Sequence, residues 1–277
     1  MKTILLTGAT SVLARKFITR YASEYNIISG VRNVTSACET KFESWDAIDS
    51  SLKCDLVLNF AGKYSVDDSL NSKKQVMDAV IGTANSISAY CIETKTPLVT
   101  LGSYFEKAPI EFYPWSYYAI AKVSAYELFK LASETYDIPM RYVYCYDTYG
   151  ADLTRGKIVD ILLDSLTTDL ELSPGEQILN LTHEDDFVSG IKTVLEELLK
   201  SNKGFESYQI RNPKDEYSLR EVVEIINSKR DKKVNIKFGA KPYRKKEVFK
   251  VWDCAPALLD WEPKIQFDKF VAEYMAK

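Results

Sequence analysis

Histidine is nearly missing from this chain: His183 is the single one in 277 residues. Zinc sites of the usual kind combine histidine and cysteine at short spacings. Here the five cysteines (Cys38, Cys54, Cys91, Cys145, Cys254) are odd in number, scattered, and never in a C-x-x-C arrangement. No metal site is therefore expected, and the cysteines read as reduced thiols, mostly buried, in a cytoplasmic protein. No apolar stretch approaches the ~20 residues that a membrane helix needs. The start, Met1-Lys2-Thr3, passes directly into a short apolar run that ends at a glycine turn, unlike a secretion signal. A dominant charge is lacking too. Lys and Arg total 36 against 39 for Asp and Glu, a formal net charge of -3, which removes the broad electrostatic case for nucleic acid. Repeats, low-complexity tracts and flexible linkers are absent from the pattern as well. What is there is 46% hydrophobic and 27% charged, ordinary for a folded globular chain. The length suits one large α/β domain, or a nucleotide-binding domain with a smaller second lobe.

The first half alternates short β-rich runs with longer helical patterns. Thr3-Leu6, Tyr25-Ser29, Leu56-Asn59, Pro97-Leu101 and Met140-Tyr146 are the runs, with apolar residues on both parities as in strands covered on both faces. Helical spacing is found at Ala14-Ser23, Lys73-Glu93 and Ser124-Tyr136. Alternation of this kind predicts parallel βαβ units, an α/β doubly wound sheet of the Rossmann type. Beyond residue 150 the texture changes. Helical segments Ile158-Leu166 and Asp186-Lys200 are separated by turns at Pro174-Gly175 and Asn212-Pro213, and a basic cluster (Lys232, Lys233, Lys241, Arg244, Lys245, Lys246) follows. The division expected is a dinucleotide-binding domain over residues 1–150 and a small C-terminal α/β substrate lobe over 151–277, interleaved with it.

The first strand leads into Thr7-Gly8-Ala9-Thr10-Ser11-Val12-Leu13-Ala14. A small-residue turn from strand to helix lets backbone amides approach a pyrophosphate, with the helix dipole adding to the attraction. Thr7, Gly8, Thr10, Ser11, Val12 and Leu13 are the candidate cofactor contacts. Against a T-G-x-x-G-x-x-G pattern, Gly8 is kept while Ser11 and Ala14 stand at the later glycine positions. The second strand ends Ser29-Gly30-Val31-Arg32-Asn33, without the acid that holds a ribose 2′-hydroxyl in NAD sites. Arg32 suits a 2′-phosphate instead, so NADP(H) is favoured and NAD(H) is the alternative. Asn59, Ala61 and Gly62 end the third strand with small residues where a cofactor passes close to the backbone.

Tyr118-Ala119-Ile120-Ala121-Lys122 carries the sharpest chemistry. Tyr and Lys four apart share one helix face and can serve one substrate atom; Tyr118 and Lys122 are cofactor contacts as well, the lysine able to hold the nicotinamide ribose. The ammonium of Lys122 is expected to draw the phenol, ordinarily near ~10, toward the working range. Thr100-Leu101-Gly102-Ser103 ends a strand beside that helix, so Ser103 can hydrogen-bond a carbonyl oxygen under reduction. A bare Y-x-x-x-K is common; its weight comes from following a glycine turn, an Ala-Gly strand end and a serine strand end in order.

With these motifs the chain resembles the extended short-chain dehydrogenase/reductase superfamily, also called the NAD-dependent epimerase/dehydratase superfamily, over nearly its whole length. It is most similar to sugar-nucleotide 4-ketoreductases of the CDP-abequose and CDP-paratose synthase kind. The finer likeness lies in Asp147-Thr148-Tyr149-Gly150 with Thr154-Arg155-Gly156-Lys157-Ile158, in Leu172-Ser173-Pro174-Gly175-Glu176-Gln177 with His183-Glu184-Asp185-Asp186, in Phe238-Gly239-Ala240-Lys241-Pro242-Tyr243-Arg244, and in Trp261-Glu262-Pro263-Lys264. The resemblance implies Tyr118 as acid, Lys122 as its partner and Ser103 as carbonyl binder. It implies Arg244 at the substrate diphosphate, with Arg155, Lys157 and Gln177 near the nucleotide. Tyr118 follows Ser103 by 15 positions, shorter than in epimerases of the superfamily. Gly102-Ser103-Tyr104 lacks the Thr-Asp-Glu run of the 4,6-dehydratases, and with it their acid and base. The implied activity is NADPH-dependent reduction of the C4 ketone of a CDP- or dTDP-linked 4-keto-6-deoxy or 3,6-dideoxy hexose, giving a deoxy-sugar nucleotide for surface polysaccharide. The alternatives are a C4 epimerase retaining NAD and a non-catalytic dinucleotide sensor. Analogy further implies a homodimer through the helices holding residues 73–93 and 118–136, with no nucleic-acid or membrane partner.

Overall fold

The computed structural model describes residues 1–31, 39–41, 50–65, 69–108, 116–165, 169–201, 204–244 and 246–276. From the N-terminus come β1 (Lys2–Thr7), α1 (Val12–Tyr21), β2 (Tyr25–Val31), β3 (Glu39–Lys41), β4 (Leu56–Asn59), α2 (Leu70–Met77), α3 (Thr83–Thr94), β5 (Leu98–Ser103), α4 (Tyr117–Tyr136) and β6 (Met140–Cys145). Then follow β7 (Asp147–Tyr149), α5 (Ile158–Asp164), β8 (Leu170–Leu172), β9 (Ile178–His183), α6 (Glu184–Ser201), β10 (Phe205–Ile210), β11 (Glu216–Ser218), α7 (Leu219–Ser228), β12 (Ile236–Phe238) and α8 (Phe267–Met275).

Seven strands form one parallel sheet in the order β10-β6-β5-β4-β1-β2-β3. The order reverses between β1 and β4, so their carboxyl ends open a crevice, the place where doubly wound sheets bind ligands. The expected Rossmann-type α/β class is what the chain adopts. Both sheet faces are covered, which is why the strands read as continuous apolar runs and not as alternation. On one face Ile4, Leu6, Leu58 and Val99 pack on Phe17 of α1 and on Phe187, Ile191 and Leu195 of α6. On the other, Leu5, Val57 and Tyr142 pack on Val76, Ile87, Ala125 and Phe129 of α2, α3 and α4.

Residues 184–210 return to this sheet: α6 packs on its α1 face and β10 pairs with β6, Phe205 opposite Met140. A third apolar cluster, around Tyr149, Leu162, Leu181, Val222 and Phe267, belongs to the smaller sheets β11-β9-β7 and β12-β8 and their helices α5, α7 and α8.

Two helices differ from their sequence pattern. The single helix expected over residues 73–93 is interrupted by a π-helical turn at Asp78–Gly82, an insertion that shifts the face presented by α3 relative to α2. Helix α4 begins well before its apolar periodicity, because the Ser116 hydroxyl accepts from Ala119 N at 3.2 Å and caps it there. The cysteines also differ from expectation: all four described are unpaired, but only Cys91 is fully buried, while Cys54, Cys145 and Cys254 are half-buried. Among the described residues no helix is long and apolar enough to cross a membrane, and no His, Cys, Asp or Glu group could hold a metal.

Candidate active site

Gly8, at the end of β1, has φ +72, and a β-carbon there would stand 2.5 Å from Ala61 N and 2.7 Å from Phe60 C. The turn is thus reserved for glycine both by its left-handed backbone and by the strand end crossing beside it. That crossing is held by a buried polar ladder. Thr7 Oγ1 donates to Asn59 Oδ1 at 2.7 Å, Ala61 N donates to the same oxygen at 2.9 Å, and Asn59 Nδ2 donates to Thr100 Oγ1 at 2.9 Å. Asn59 therefore fixes the carboxyl ends of β1 and β4 against each other and against the middle of β5. Ser11 stands where the dinucleotide pattern has glycine, yet its φ of -71 is one any residue adopts. Its hydroxyl accepts from Ala14 N at 3.3 Å and caps α1, whose first-turn amides, Val12 and Leu13 included, have no intrahelical acceptor of their own. Arg15 bonds the Thr10 carbonyl and pairs with Asp152 at 2.6 Å, bracing the turn to the second lobe. These residues fit a pyrophosphate cradle. Arg32, assigned to the 2′-phosphate, lies outside the described residues.

Ser103, at the end of β5, and Tyr118 and Lys122, one turn apart on α4, converge at the crevice. Lys122 is buried at 7% exposure, and its Nζ donates to Leu101 O at 2.6 Å. A methyl at Gly62 would lie 3.8 Å from that Nζ, so the β4 end meets the same lysine. The Ser103 hydroxyl stands against the Tyr118 phenol and favours its ionised form. Tyr64 packs edge-on against Tyr118, ring centroids 5.1 Å apart.

The electrostatics correct one expectation. Lys122 does not bring the phenol into the neutral range. Burial around its hydroxyl, reinforced by the Glu106 carboxylate, pushes its pKa well up. Burial likewise pushes Lys122 down, opposed by Glu106 and Cys145. At neutral pH Tyr118 accordingly holds its proton and is poised to give one.

From the second lobe, Arg155 Nη1 donates to Thr148 Oγ1 at 3.0 Å and Lys157 Nζ to the same oxygen at 3.4 Å. Asp147, at the start of β7, is pushed up by burial against the opposing pull of Lys157, and its Oδ2 is buried without a hydrogen-bond partner. Arg244 faces the Tyr64 hydroxyl and opposes the upward push of burial on it. The structure thus gathers Arg244 through Tyr64, and Lys157 and Arg155 through Thr148 and Asp147, around the crevice. Gln177 is not brought in: its Nε2 donates to Ser173 Oγ at 3.1 Å inside the β8–β9 turn. His183, buried between Tyr149 and Phe270 and accepting from Asp185 N, is structural.

Sequence reasoning assigned no role to Glu106, Asp147, Tyr64 or Tyr142. Glu106 had a local signal, the S-x-x-E spacing of a capping box from Ser103, which the structure forms. Asp147 stood in the Asp147-Thr148-Tyr149-Gly150 motif, while Tyr64 and Tyr142 had no signal, because their partners are remote in sequence.

Fold and site together define a nicotinamide-dinucleotide-dependent enzyme of the short-chain dehydrogenase/reductase class. Residues 4–210 match the NAD dependent epimerase/dehydratase family, and the chain belongs to that family, as its motifs implied. It is 30% identical over 269 residues to the CDP-abequose synthase of Yersinia pseudotuberculosis, covering 88% of this chain and 90% of that protein. Solved structures share the fold. A UDP-glucuronic acid 4-epimerase from Bacillus cereus, in complex with UDP-glucuronic acid and NAD, superposes with TM-score 0.82 at 16% identity, covering 98% of both chains. Pal from Bacillus thuringiensis superposes with TM-score 0.81 at 17% identity, covering 99% of this chain and 98% of that one.

Proposed function

We propose that this enzyme uses NADPH to reduce the C4 ketone of a nucleoside-diphosphate-linked 4-keto-6-deoxy or 3,6-dideoxy hexose. The observation that carries the reading is the convergence of Ser103, Tyr118 and Lys122, with Tyr118 kept protonated. The similarity to CDP-abequose synthase supports the substrate class and a CDP sugar, with a dTDP sugar as the other candidate of this proposal. The bound nicotinamide cofactor would supply a hydride to C4.

Thr7, Gly8, Thr10, Ser11, Val12, Leu13, Asn59, Ala61 and Gly62 line the turn and strand ends that would hold it. Lys122, reaching the β4 end at Gly62, would hold its ribose. Ser103 donates a hydrogen bond to the carbonyl oxygen and stabilises the growing negative charge. Tyr118 transfers its phenolic proton to that oxygen as the alcohol forms, and its own oxygen, left anionic, takes a proton back from solvent when the product leaves. Arg244, with Lys157 and Arg155, would hold the diphosphate, so that binding energy remote from C4 positions the reacting carbon. In this reading residues 151–277 form the substrate lobe, interleaved with the first domain through residues 184–210, the protein works in the cytoplasm, and α2, α3 and α4 pair two copies into a homodimer.

A C4 epimerase retaining NAD is the second reading, favoured by the epimerases among the solved structures that share the fold. Absorbance at the NADPH band, with CDP- and dTDP-4-keto-6-deoxyglucose offered separately, distinguishes the two. Stoichiometric NADPH oxidation is expected with one of them, and Tyr118→Phe should slow it by about 10²–10⁴. Sugar conversion without net NADPH oxidation would establish the epimerase instead.

A further inference from the structure

Glu106 is 4% exposed in a turn directly beside the catalytic serine. A carboxylate at that depth is costly unless it is hydrogen-bonded or paired, and here both oxygens are engaged. Oε1 accepts from Ser103 N at 2.5 Å, and Oε2 accepts from the Tyr142 hydroxyl at 2.9 Å. The Tyr142 hydroxyl also lies 3.4 Å from Lys122 O. One carboxyl group therefore joins the end of β5, the middle of β6 and the turn of α4 that carries Lys122.

Gly102 shows that the junction is built. A β-carbon at Gly102 would stand 2.1 Å from Tyr142 Cε1 and 2.9 Å from Glu106 Oε1, so only glycine lets the carboxylate and the tyrosine meet beneath Ser103. The outer side of Glu106 reaches a cavity of about 130 Å³ lined also by Lys107, Val123, Tyr126 and Glu127, through which water can approach it.

We propose that Glu106 is a positioning residue of this active site: it fixes the strand end on which Ser103 stands and supplies the negative charge that faces Lys122. This rests on the reading of Ser103, Tyr118 and Lys122 as the catalytic set. Burial pushes Glu106 up to about 7, while Lys122, the Tyr142 hydroxyl, the Ser103 amide and Lys107 pull it back. Tyr118 and Tyr126 of α4, Tyr144 of β6 and Cys254 also feel its charge. Lys122 is faced by Glu106 and by Cys145.

The sign of the effect follows. Above pH 7 the carboxylate is charged and opposes the downward push of burial on Lys122. Below pH 7 the carboxyl is itself protonated, so removing its charge changes little there. Removing the charge should therefore matter on the alkaline side alone, whereas a merely structural lesion would weaken the site at every pH.

Fluorescence titration of the full chain with NADPH between pH 6 and 9, alongside thermal melts, tests this. Glu106→Gln keeps the shape and both hydrogen bonds, since the Tyr142 hydroxyl can turn its proton to Lys122 O. Binding equal to wild type at pH 6 is expected, with the alkaline fall in affinity moved down by about one pH unit, roughly tenfold at its steepest. Glu106→Asp keeps the charge but does not span both partners. It should bind more weakly at both ends of the range with the wild-type pH slope, and it decides the matter if Glu106→Gln does not fold. A Glu106→Gln curve parallel to wild type, or a Glu106→Asp curve with an altered slope, overturns the proposal while leaving the catalytic reading intact. A wild-type chain that binds neither NADPH nor NADH overturns both.

Discussion

Gly8 and Gly102 are the two glycines at which a single methyl would be felt at the active site, and for different reasons. At Gly8 the backbone is left-handed and the β4 end crosses at contact distance; at Gly102 the obstacle is the side chains of Tyr142 and Glu106. Gly8→Ala should lose about 1–3 kcal/mol of stability and most of its NADPH affinity, read by a denaturant melt and a fluorescence titration. Glu106 carries a stability cost that its role explains. Its folded pKa of about 7 lies above the ordinary 4.5, so the fold binds a proton that the unfolded chain releases, and stability falls as pH rises from 4.5 through 7. Glu106→Gln should therefore melt higher than wild type at pH 8 and lose that advantage by pH 4.5. A melting temperature at pH 8 no higher than wild type would contradict this.

At the scale of elements, the placing of Tyr118 and Lys122 depends on where α4 starts. Ser116 caps it through Ala119 N, and this puts Tyr118 in the first turn, the part of a helix most prone to fray. Ser116→Ala should cost about 1 kcal/mol in denaturant unfolding, yet lower turnover by more than that loss implies while leaving NADPH affinity nearly unchanged. Helix α1 shows the opposite economy. Serine replaces a family glycine at position 11 without strain, since its backbone is extended and its hydroxyl caps the helix. The strands around the crevice were legible as short unbroken apolar runs, and the helices by apolar residues repeating at the helical period. The π-helical turn between α2 and α3 was not, because an inserted residue shifts a helix face without breaking its apolar composition.

Across the whole molecule, the second lobe is tied to the sheet by an acid that accepts backbone amides. Asp186 of α6 accepts from Lys264 N and Ile265 N and fastens the C-terminal segment there, while Asp215 accepts from Phe267 N and holds the start of α8 within the lobe. His183 sits at the same junction, its pKa lowered to about 4 chiefly by burial. The unfolded chain takes up a proton near 6.5 that the fold refuses until about 4. This stabilisation is full above pH 6.5 and lost as pH falls toward 4, roughly 3 kcal/mol in all. His183→Asn should flatten the decline between those values, as measured by thermal melts across the acid range; an unchanged decline would mean that other groups set it.

The sequence by itself determined the class of fold and the placing of Tyr118 and Lys122 on one helix face. Apolar period, a glycine that tolerates left-handed backbone and a Tyr–Lys spacing of one helical turn are all local properties, set by dihedral angles and sterics within a few residues. Tertiary structure alone decided what surrounds them. Glu106 meets Tyr142 across 36 positions, and Tyr64 lies between Tyr118 and an Arg244 that arrives from the far end of the chain. Burial of the Tyr118 hydroxyl, which reversed the expected direction of its pKa, likewise comes from the assembled neighbours and not from Lys122 four residues away. Charge and desolvation depend on distance in space, which a sequence pattern does not carry until the sheet has closed the crevice.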